Sequence, residues 1–291
     1  MARRKKRPQG PEWLKLDNAA KIYPAVKSRK WTALYRLSVT LTEDVDEAVL
    51  SKALEHTVQR IPFFAYQLKR GFFWFYLDRQ TAVPKPEPDV ANPLVRMRLN
   101  QDNPFLFRIR VWQRRIAIEI FHALTDGTGG LVFLLTLTAE YLRLKYGIAV
   151  EPSPYILDTR HKPQPEEMED SFLTYARKAR RARTESRAYP LRGTRGDPMH
   201  LRIIMGSMPT QKLYDTAKAH GATVNVFLAS LLLQALYRIA QSDPSPRRRK
   251  LPVKLSMPVN LRRYYPSRTL RNFSSYVNAP IYTEYGDWTL E

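Results

Sequence analysis

The chain contains no cysteine, and this removes thiol nucleophiles, disulfide frameworks and cysteine-ligated zinc from the chemistry open to it. It also lacks a G-x-S-x-G elbow, a phosphate-binding glycine loop and any spaced set of metal ligands, so no metal site is expected. No apolar run follows the basic start, which argues against a secretory signal. The most apolar stretch, T-V-N-V-F-L-A-S-L-L-L-Q-A-L-Y-R-I-A from Thr223, is interrupted by Gln234 and Arg238. It falls short of the roughly 20 apolar residues that a membrane span takes, and a buried helix of a cytoplasmic protein is expected instead. Acidic residues are scarce too: 27 Asp and Glu stand against 48 Lys and Arg, a net charge of +21. Such a field draws phosphates, anionic lipid head groups or anionic substrates without specifying which. Part of it lies in Arg3-Arg4-Lys5-Lys6-Arg7, within a disordered basic tail expected over 1–12, and part in Arg177 to Arg187 and Arg247 to Lys250.

What is present suffices for a large core. With 291 residues the chain can form two compact domains or one large one. Trp31 to Leu41 alternates with Trp31, Ala33, Tyr35, Leu37, Val39 and Leu41 on one face, the pattern of a half-buried strand. Asp44 or Asp46 can cap a helix that Pro62 stops. Ala65 to Leu77 predicts a hairpin around Arg70-Gly71, and its aromatic arm, Phe72 to Tyr76, is expected in the core and at the sheet edge. Phe105 to Val111 and Ile116 to Phe121 predict a further antiparallel pair. A charged, proline-containing segment, 158–198, separates an N-terminal half, 13–157, from a second half, 199–291, and includes an expected solvated helix over 166–187. In the second half Leu201 to Met208, Leu251 to Leu261 and Phe273 to Tyr282 predict strands, and Gln211 to Ala219 a short helix.

The stretch from Ile116 to Tyr146 orders the rest. Ile116, Ile118 and Ile120 alternate with Ala117, Glu119 and Phe121, and the same period sets His122 on the isoleucine side. Asp126-Gly127 signals a turn, Thr128 can cap the following helix, and Gly147 suits its end. A histidine is thus presented at a strand end beside a bent backbone. A neutral imidazole, with a pKa near 6.5, can accept a proton at pH 7. The other histidines, His56, His161, His200 and His220, lack such a context and are expected at the surface or in packing.

The H-x-x-x-D-G arrangement of His122, Asp126 and Gly127 resembles that of the chloramphenicol acetyltransferase-like superfamily, which includes nonribosomal peptide condensation domains. Later stretches, T-V-N-V-F-L-A-S-L-L-L-Q-A-L, M-P-V-N-L-R-R and N-F-S-S-Y-V-N, have counterparts there as well, and the bacterial alcohol acetyltransferase-like branch is the most similar. The resemblance implies an α/β fold, a two-layer mixed-sheet sandwich of the CoA-dependent acyltransferase type with a second, similar but incomplete half. It implies His122 as general base and Asp126 as a brace turned toward an arginine, Arg262 first and Arg263 second. Gly127 would permit the bend, and Ser256 and Asn260 are candidate oxyanion donors. Phe121 stands where condensation domains carry a second histidine, which points toward simple acyl transfer. The D-F-G-W-G-like region that the family carries further on has no counterpart before Glu291, which leaves three alternatives: a truncated chain, one part of a split gene whose companion chain supplies the region, or a degenerate member.

The resulting expectation is an acyltransferase that moves an acyl group from acyl-CoA or a carrier protein onto a hydroxyl or amine of a small-molecule or lipid acceptor. The thioester is a substrate and no cofactor is permanently bound. The basic surface suits peripheral contact with an anionic membrane at its inner face. The alternatives are a catalytically silent or split-gene binding module of the same fold and, further off, a basic nucleic-acid-binding protein, for which no recognition motif is present.

Overall fold

The computed structural model of the chain describes residues 11–26, 31–97, 104–176, 185–194, 196–197, 200–286 and 288. The basic tail expected over 1–12 falls outside them except for its last two residues, as does the 177–184 part of the basic crossover. Two compact units divide the chain. The first comprises 1–176, 198–201 and 260–274, and the second 177–197, 202–259 and 275–291. The second half expected over 199–291 is thus not a single piece, because 260–274 is tied into the first unit by the bonds described below.

In the first unit the elements run β1 (Trp13–Lys15), α1 (Ile22–Val26), β2 (Leu34–Thr40), α2 (Glu47–Arg60), β3 (Tyr66–Arg70), β4 (Phe75–Arg79), β5 (Glu87–Pro88), β6 (Phe107–Trp112), β7 (Arg115–Phe121), α3 (Gly127–Tyr146) and α4 (Ser171–Tyr175). Four strands form a sheet in the order β2-β7-β6-β5, antiparallel except for the parallel β5–β6 pair. Three more form an antiparallel sheet, β1-β4-β3. Flanked by β2 and β6, β7 is buried on both faces from Ile116 to Phe121. Alternation alone had left Glu119 on the outer face. Its fully buried carboxylate accepts from Arg36 Nη1 at 2.9 Å, Arg108 Nε at 2.6 Å and the Leu94 N–H at 3.0 Å, and such partners are what make a buried charge tolerable.

Of the two expected caps, Asp46 starts α2, accepting from the Ala48 and Val49 N–H groups at 2.9 and 3.0 Å. The core is aromatic where the helices meet the sheet: Phe64 stacks on Phe133 at 4.0 Å and meets Phe107 edge-on at 5.4 Å. Gly147 ends α3 with φ of 70°, a left-handed conformation that glycine adopts without a Cβ penalty.

Several expectations are corrected. Phe72, Phe73 and Trp74 are not in the core; they are 88%, 84% and 62% exposed. The Gly71 N–H donates to the Trp74 carbonyl at 2.7 Å, so these three make up the turn itself, and the arm that packs begins at Phe75. Of the solvated helix expected over 166–187, residues 177–184 lie outside the described residues, and the part up to Ala176 is instead a 3₁₀ turn at Pro165–Met168 followed by the short α4. Arg60 grips Glu167 with two bonds of 2.6 and 2.7 Å in a buried pair, which draws the segment inward.

The second unit holds α5 (Thr210–Ala219), α6 (Val224–Gln241), α7 (Pro246–Arg249) and all but one end residue each of β8 (Val253–Asn260) and β9 (Ser274–Ile281), which pair with each other. Residues 201–208 form no strand among the described residues. Ile204 and Met205 are each 90% exposed, and alternation without a neighbouring strand yields no ladder. Nor is α6 the buried helix expected. Thr223 caps it, but only Leu233, Tyr237 and Ala240 are covered, sharing a small core with Val253 and Ile281. A two-stranded sheet is too narrow to cover more of it. By length and composition α6 is apolar enough to cross a membrane, although its rise of about 27 Å is shorter than the roughly 30 Å hydrocarbon layer.

Candidate active site

His122 leaves β7 with its N–H bonded to the Ala33 carbonyl at 2.9 Å. Its Nδ1 lies 3.2 Å from Asn272 Oδ1. An amide oxygen can only accept, so Nδ1 carries the proton and Nε2 is left with its lone pair. The orientation of Asn272 is itself fixed, since its Nδ2 donates to Asp17 Oδ2 at 3.4 Å. Asp17 in turn accepts the Ala20 N–H at 2.7 Å and faces the Arg271 guanidinium at 3.7 Å. A chain of three side chains thus runs from a buried carboxyl to the imidazole.

Two tyrosines enclose the ring. Tyr23, on α1, stacks on His122 with centroids 4.3 Å apart and planes 13° from parallel, and its hydroxyl lies 3.5 Å from Nε2. Tyr35, on β2, meets the ring at 4.9 Å. Burial pushes the His122 pKa below its ordinary 6.5, so the imidazole is neutral at pH 7 and can take up a proton. Burial also lifts Tyr23 to about 12 and raises Tyr35 well above the ordinary tyrosine value of 10. Both hydroxyls therefore keep their protons.

Asp126 is turned away from His122. Its Oδ1 accepts the Thr128 and Gly129 N–H groups, each at 3.1 Å, and so caps α3. Its Oδ2 accepts from the Phe273 N–H at 2.9 Å and from Arg262 Nη1 at 2.7 Å. The cap is therefore Asp126, not Thr128. Arg262 spends its other donors on carbonyls, with Nε and Nη2 on Thr269 at 3.0 and 2.8 Å and Nη2 on Arg271 at 2.6 Å. One ion pair thereby clamps 260–273 to the turn that carries His122, and it sets Asn272 against the imidazole. Arg263, the second choice of partner, is exposed beside this clamp.

The glycines need reassignment. Gly127 is an exposed helical residue, and a Cβ added to it would meet nothing within 4 Å, so the bend does not depend on it. A Cβ at Gly129 would run into the Thr125 hydroxyl and the Leu270 carbonyl, and one at Gly130 would lie 2.6 Å from the Tyr35 hydroxyl and 2.9 Å from Ile120 Cδ1. The approach at Gly129 seats the start of α3 against Thr125 and Leu270, and the one at Gly130 seats it on the sheet. Accordingly Gly129→Ala is expected to cost about 3 kcal/mol in urea unfolding, the upper range for overpacking, whereas Gly127→Ala is neutral or mildly stabilising. Equal midpoints for the two variants would overturn this assignment.

The two candidate oxyanion donors belong to different units. Asn260 is occupied within the clamp, where Oδ1 accepts the Arg262 N–H at 3.1 Å and Nδ2 donates to Thr128 Oγ1 at 3.2 Å. Ser256 is an exposed residue of β8 in the second unit. Of the other histidines, His56 is more than a surface residue: its Nδ1 lies 2.5 Å from Glu140 Oε1. Sequence reasoning missed Asp17, Tyr23 and Asn272 as members of the site. Asn272 stood inside a stretch already matched to the family, and Tyr35 stood on the inward face of its strand, but nothing local marked Asp17 or Tyr23.

Asp17 gives the site a pH signature. It is almost fully buried, and burial lifts its pKa from 3.8 to about 6. The folded state then holds a proton that the unfolded chain releases. Stability from this group is complete below about pH 4 and is lost as pH rises through 6. Replacing it by the neutral isostere in Asp17→Asn should remove a slope of up to about 3 kcal/mol between pH 4 and 7. Urea midpoints across that range test the point, and parallel curves for the two proteins would contradict it.

Beside the clamp lies a cavity of about 740 Å³, lined by Thr128, Val132, Tyr155, Arg262, Arg263 and Arg268 among others. No protein-family model matches the sequence, and no curated protein matches it. Solved structures do. Polyketide synthase associated protein 5 from Mycobacterium tuberculosis superposes with a TM-score of 0.61 at 16% identity, over 94% of this chain and 68% of that one. The first condensation domain of the calcium-dependent antibiotic synthetase, in complex with a substrate analogue, gives 0.60 at 16% identity over 94% and 69%. This chain has the condensation-domain and CoA-dependent acyltransferase fold. The starter condensation domain of rhizomide synthetase, in complex with C8-CoA, also shares it, with a TM-score of 0.57 at 15% identity over 93% of this chain and 66% of that one. The chain spans about two thirds of the length of each of these neighbours.

Proposed function

We propose that this condensation-type chain is an acyltransferase in which His122 is the general base. The observation that carries the reading is the state of His122, a part-buried neutral imidazole whose Nδ1 proton is held by Asn272, so that Nε2 keeps its lone pair with only the Tyr23 hydroxyl, 3.5 Å away, facing it among the described residues. In the reaction Nε2 takes the proton of an acceptor hydroxyl or amine as that oxygen or nitrogen attacks the carbonyl carbon of an acyl thioester. The tetrahedral intermediate then collapses, the C–S bond breaks, and the leaving thiolate recovers the proton from the imidazolium. Atoms and charge balance without an acyl-enzyme, a metal or a resident cofactor.

Acyl-CoA or an acyl-carrier thioester is the donor on this reading. The fold neighbour that holds C8-CoA supports it, as does the cationic rim that Arg263 and Arg268 give the cavity, which has the sign a phosphorylated donor requires. Asp126 and Arg262 are positioning residues that hold His122 and Asn272 together. The test is release of free thiol from an acyl-CoA series in the presence of alcohol and amine acceptors. Acceptor-dependent release that disappears in His122→Ala is the expected result. Binding of acyl-CoA with no turnover across the series would instead establish a silent binding module.

A further inference from the structure

The tip of the β3–β4 hairpin is an exposed aromatic knob that the proposed chemistry does not use. Phe72, Phe73 and Trp74 are consecutive and are 88%, 84% and 62% exposed. The two phenylalanines pack edge to face at 4.6 Å, and the bond from the Gly71 N–H to the Trp74 carbonyl closes the turn beneath them. Three large apolar side chains held outward at one point are costly in water, and a soluble surface does not ordinarily group them.

Their surroundings are cationic. Lys69 and Arg70 lead into the turn, and no acidic residue occurs from Lys69 through Leu77. In register, Arg70 lies opposite Phe75 and Lys69 opposite Tyr76. Lys15, on the neighbouring β1, also lies opposite Tyr76, and Trp13 on that strand is 53% exposed. The element is therefore an apolar apex with a positive collar, carried by a chain whose net charge is +21.

We propose that this hairpin tip is an interfacial anchor that docks the protein on an anionic lipid bilayer. The shape favours a bilayer over a peptide partner, because the feature is a convex projection, whereas peptide recognition uses a groove or a sheet edge. Aromatic rings, tryptophan above all, partition into the layer between head groups and acyl chains. Lys69, Arg70 and Lys15 then sit at the height of the lipid phosphates, where each cation adds attraction to an anionic surface. Neither component alone gives firm attachment, and the combination of an apolar insertion with a basic patch is what does.

The test is co-sedimentation of the full chain with vesicles of phosphatidylcholine alone and of phosphatidylcholine with an equal part of phosphatidylserine. The wild type is expected to bind the anionic vesicles and to bind neutral ones weakly. Phe72→Ser, Phe73→Ser and Trp74→Ser combined should weaken anionic binding by about tenfold or more, while urea midpoints stay unchanged because the tip is solvent-exposed. Lys69→Ser with Arg70→Ser should weaken binding to anionic vesicles and leave binding to neutral ones unaffected. Undiminished anionic binding by the triple variant would overturn the proposal, since general charge would then account for attachment. So would absence of wild-type binding, or tip-dependent dimerisation in sedimentation without lipid, which would make a second copy of the chain the occupant.

Discussion

His122→Ala is expected to lower kcat/KM for acyl transfer by about 10²- to 10⁴-fold, the range that a positioned general base contributes, with urea stability close to that of the parent. The two readouts separate because the imidazole ring is only partly buried and the turn is held by Asp126, not by His122. Two further measurements distinguish a base from a packing residue. The wild-type kcat/KM should rise with pH and level off at a pKa below 6.5, because burial favours the neutral ring. Asn272→Leu should lose rate without losing donor affinity, because Nδ1 would no longer be held as the donor and the Nε2 lone pair would no longer be guaranteed. Thiol release in His122→Ala equal to that of the wild type would remove His122 from the chemistry, whatever the fold.

The parts legible in the sequence were those written in local periodicity. The β2, β6 and β7 strands, the β3–β4 hairpin and the C-terminal end of α3 at Gly147 follow from alternation, turn residues and a cap a few positions away. The Asp126 to Arg262 pair, 136 positions apart, was reachable only through the family resemblance, because composition offers many arginines and no local rule selects among them. Asp17 and Asn272 were illegible for the same reason. A carboxyl in a mixed segment acquires its meaning only when the chain returns 255 residues later to place an amide on it. The errors have a physical pattern as well. Aromatic residues in the Phe72 to Trp74 turn and apolar residues of α6 were assigned to a core by hydrophobicity alone. Burial requires a surface to pack against, and sequence hydrophobicity does not report whether one is there.

Asp126→Ala should produce the largest loss of stability of any substitution at the site, about 3–5 kcal/mol, the range for breaking a buried ion pair by removing one partner. Four donors converge on this carboxylate: the Thr128 and Gly129 N–H groups at the start of α3, the Phe273 N–H and Arg262 Nη1. The variant strands all four, with the Arg262 charge left in a site where its side chain is about nine-tenths buried. Arg262→Met leaves the other three bonds to Asp126 in place and frees three acceptor interactions at the Thr269 and Arg271 carbonyls, so it should cost less. In Asp126→Ala with Arg262→Met the stranded charge is gone, and the double variant should be more stable than the sum of the two single losses predicts. Activity should follow a different order from stability. All three variants loosen 260–273 and with it Asn272, so all should lose turnover beyond what their folded fraction explains. Strict additivity of the stability losses, or full specific activity in the folded fraction of Arg262→Met, would show that the pair neither braces the turn nor sets the histidine.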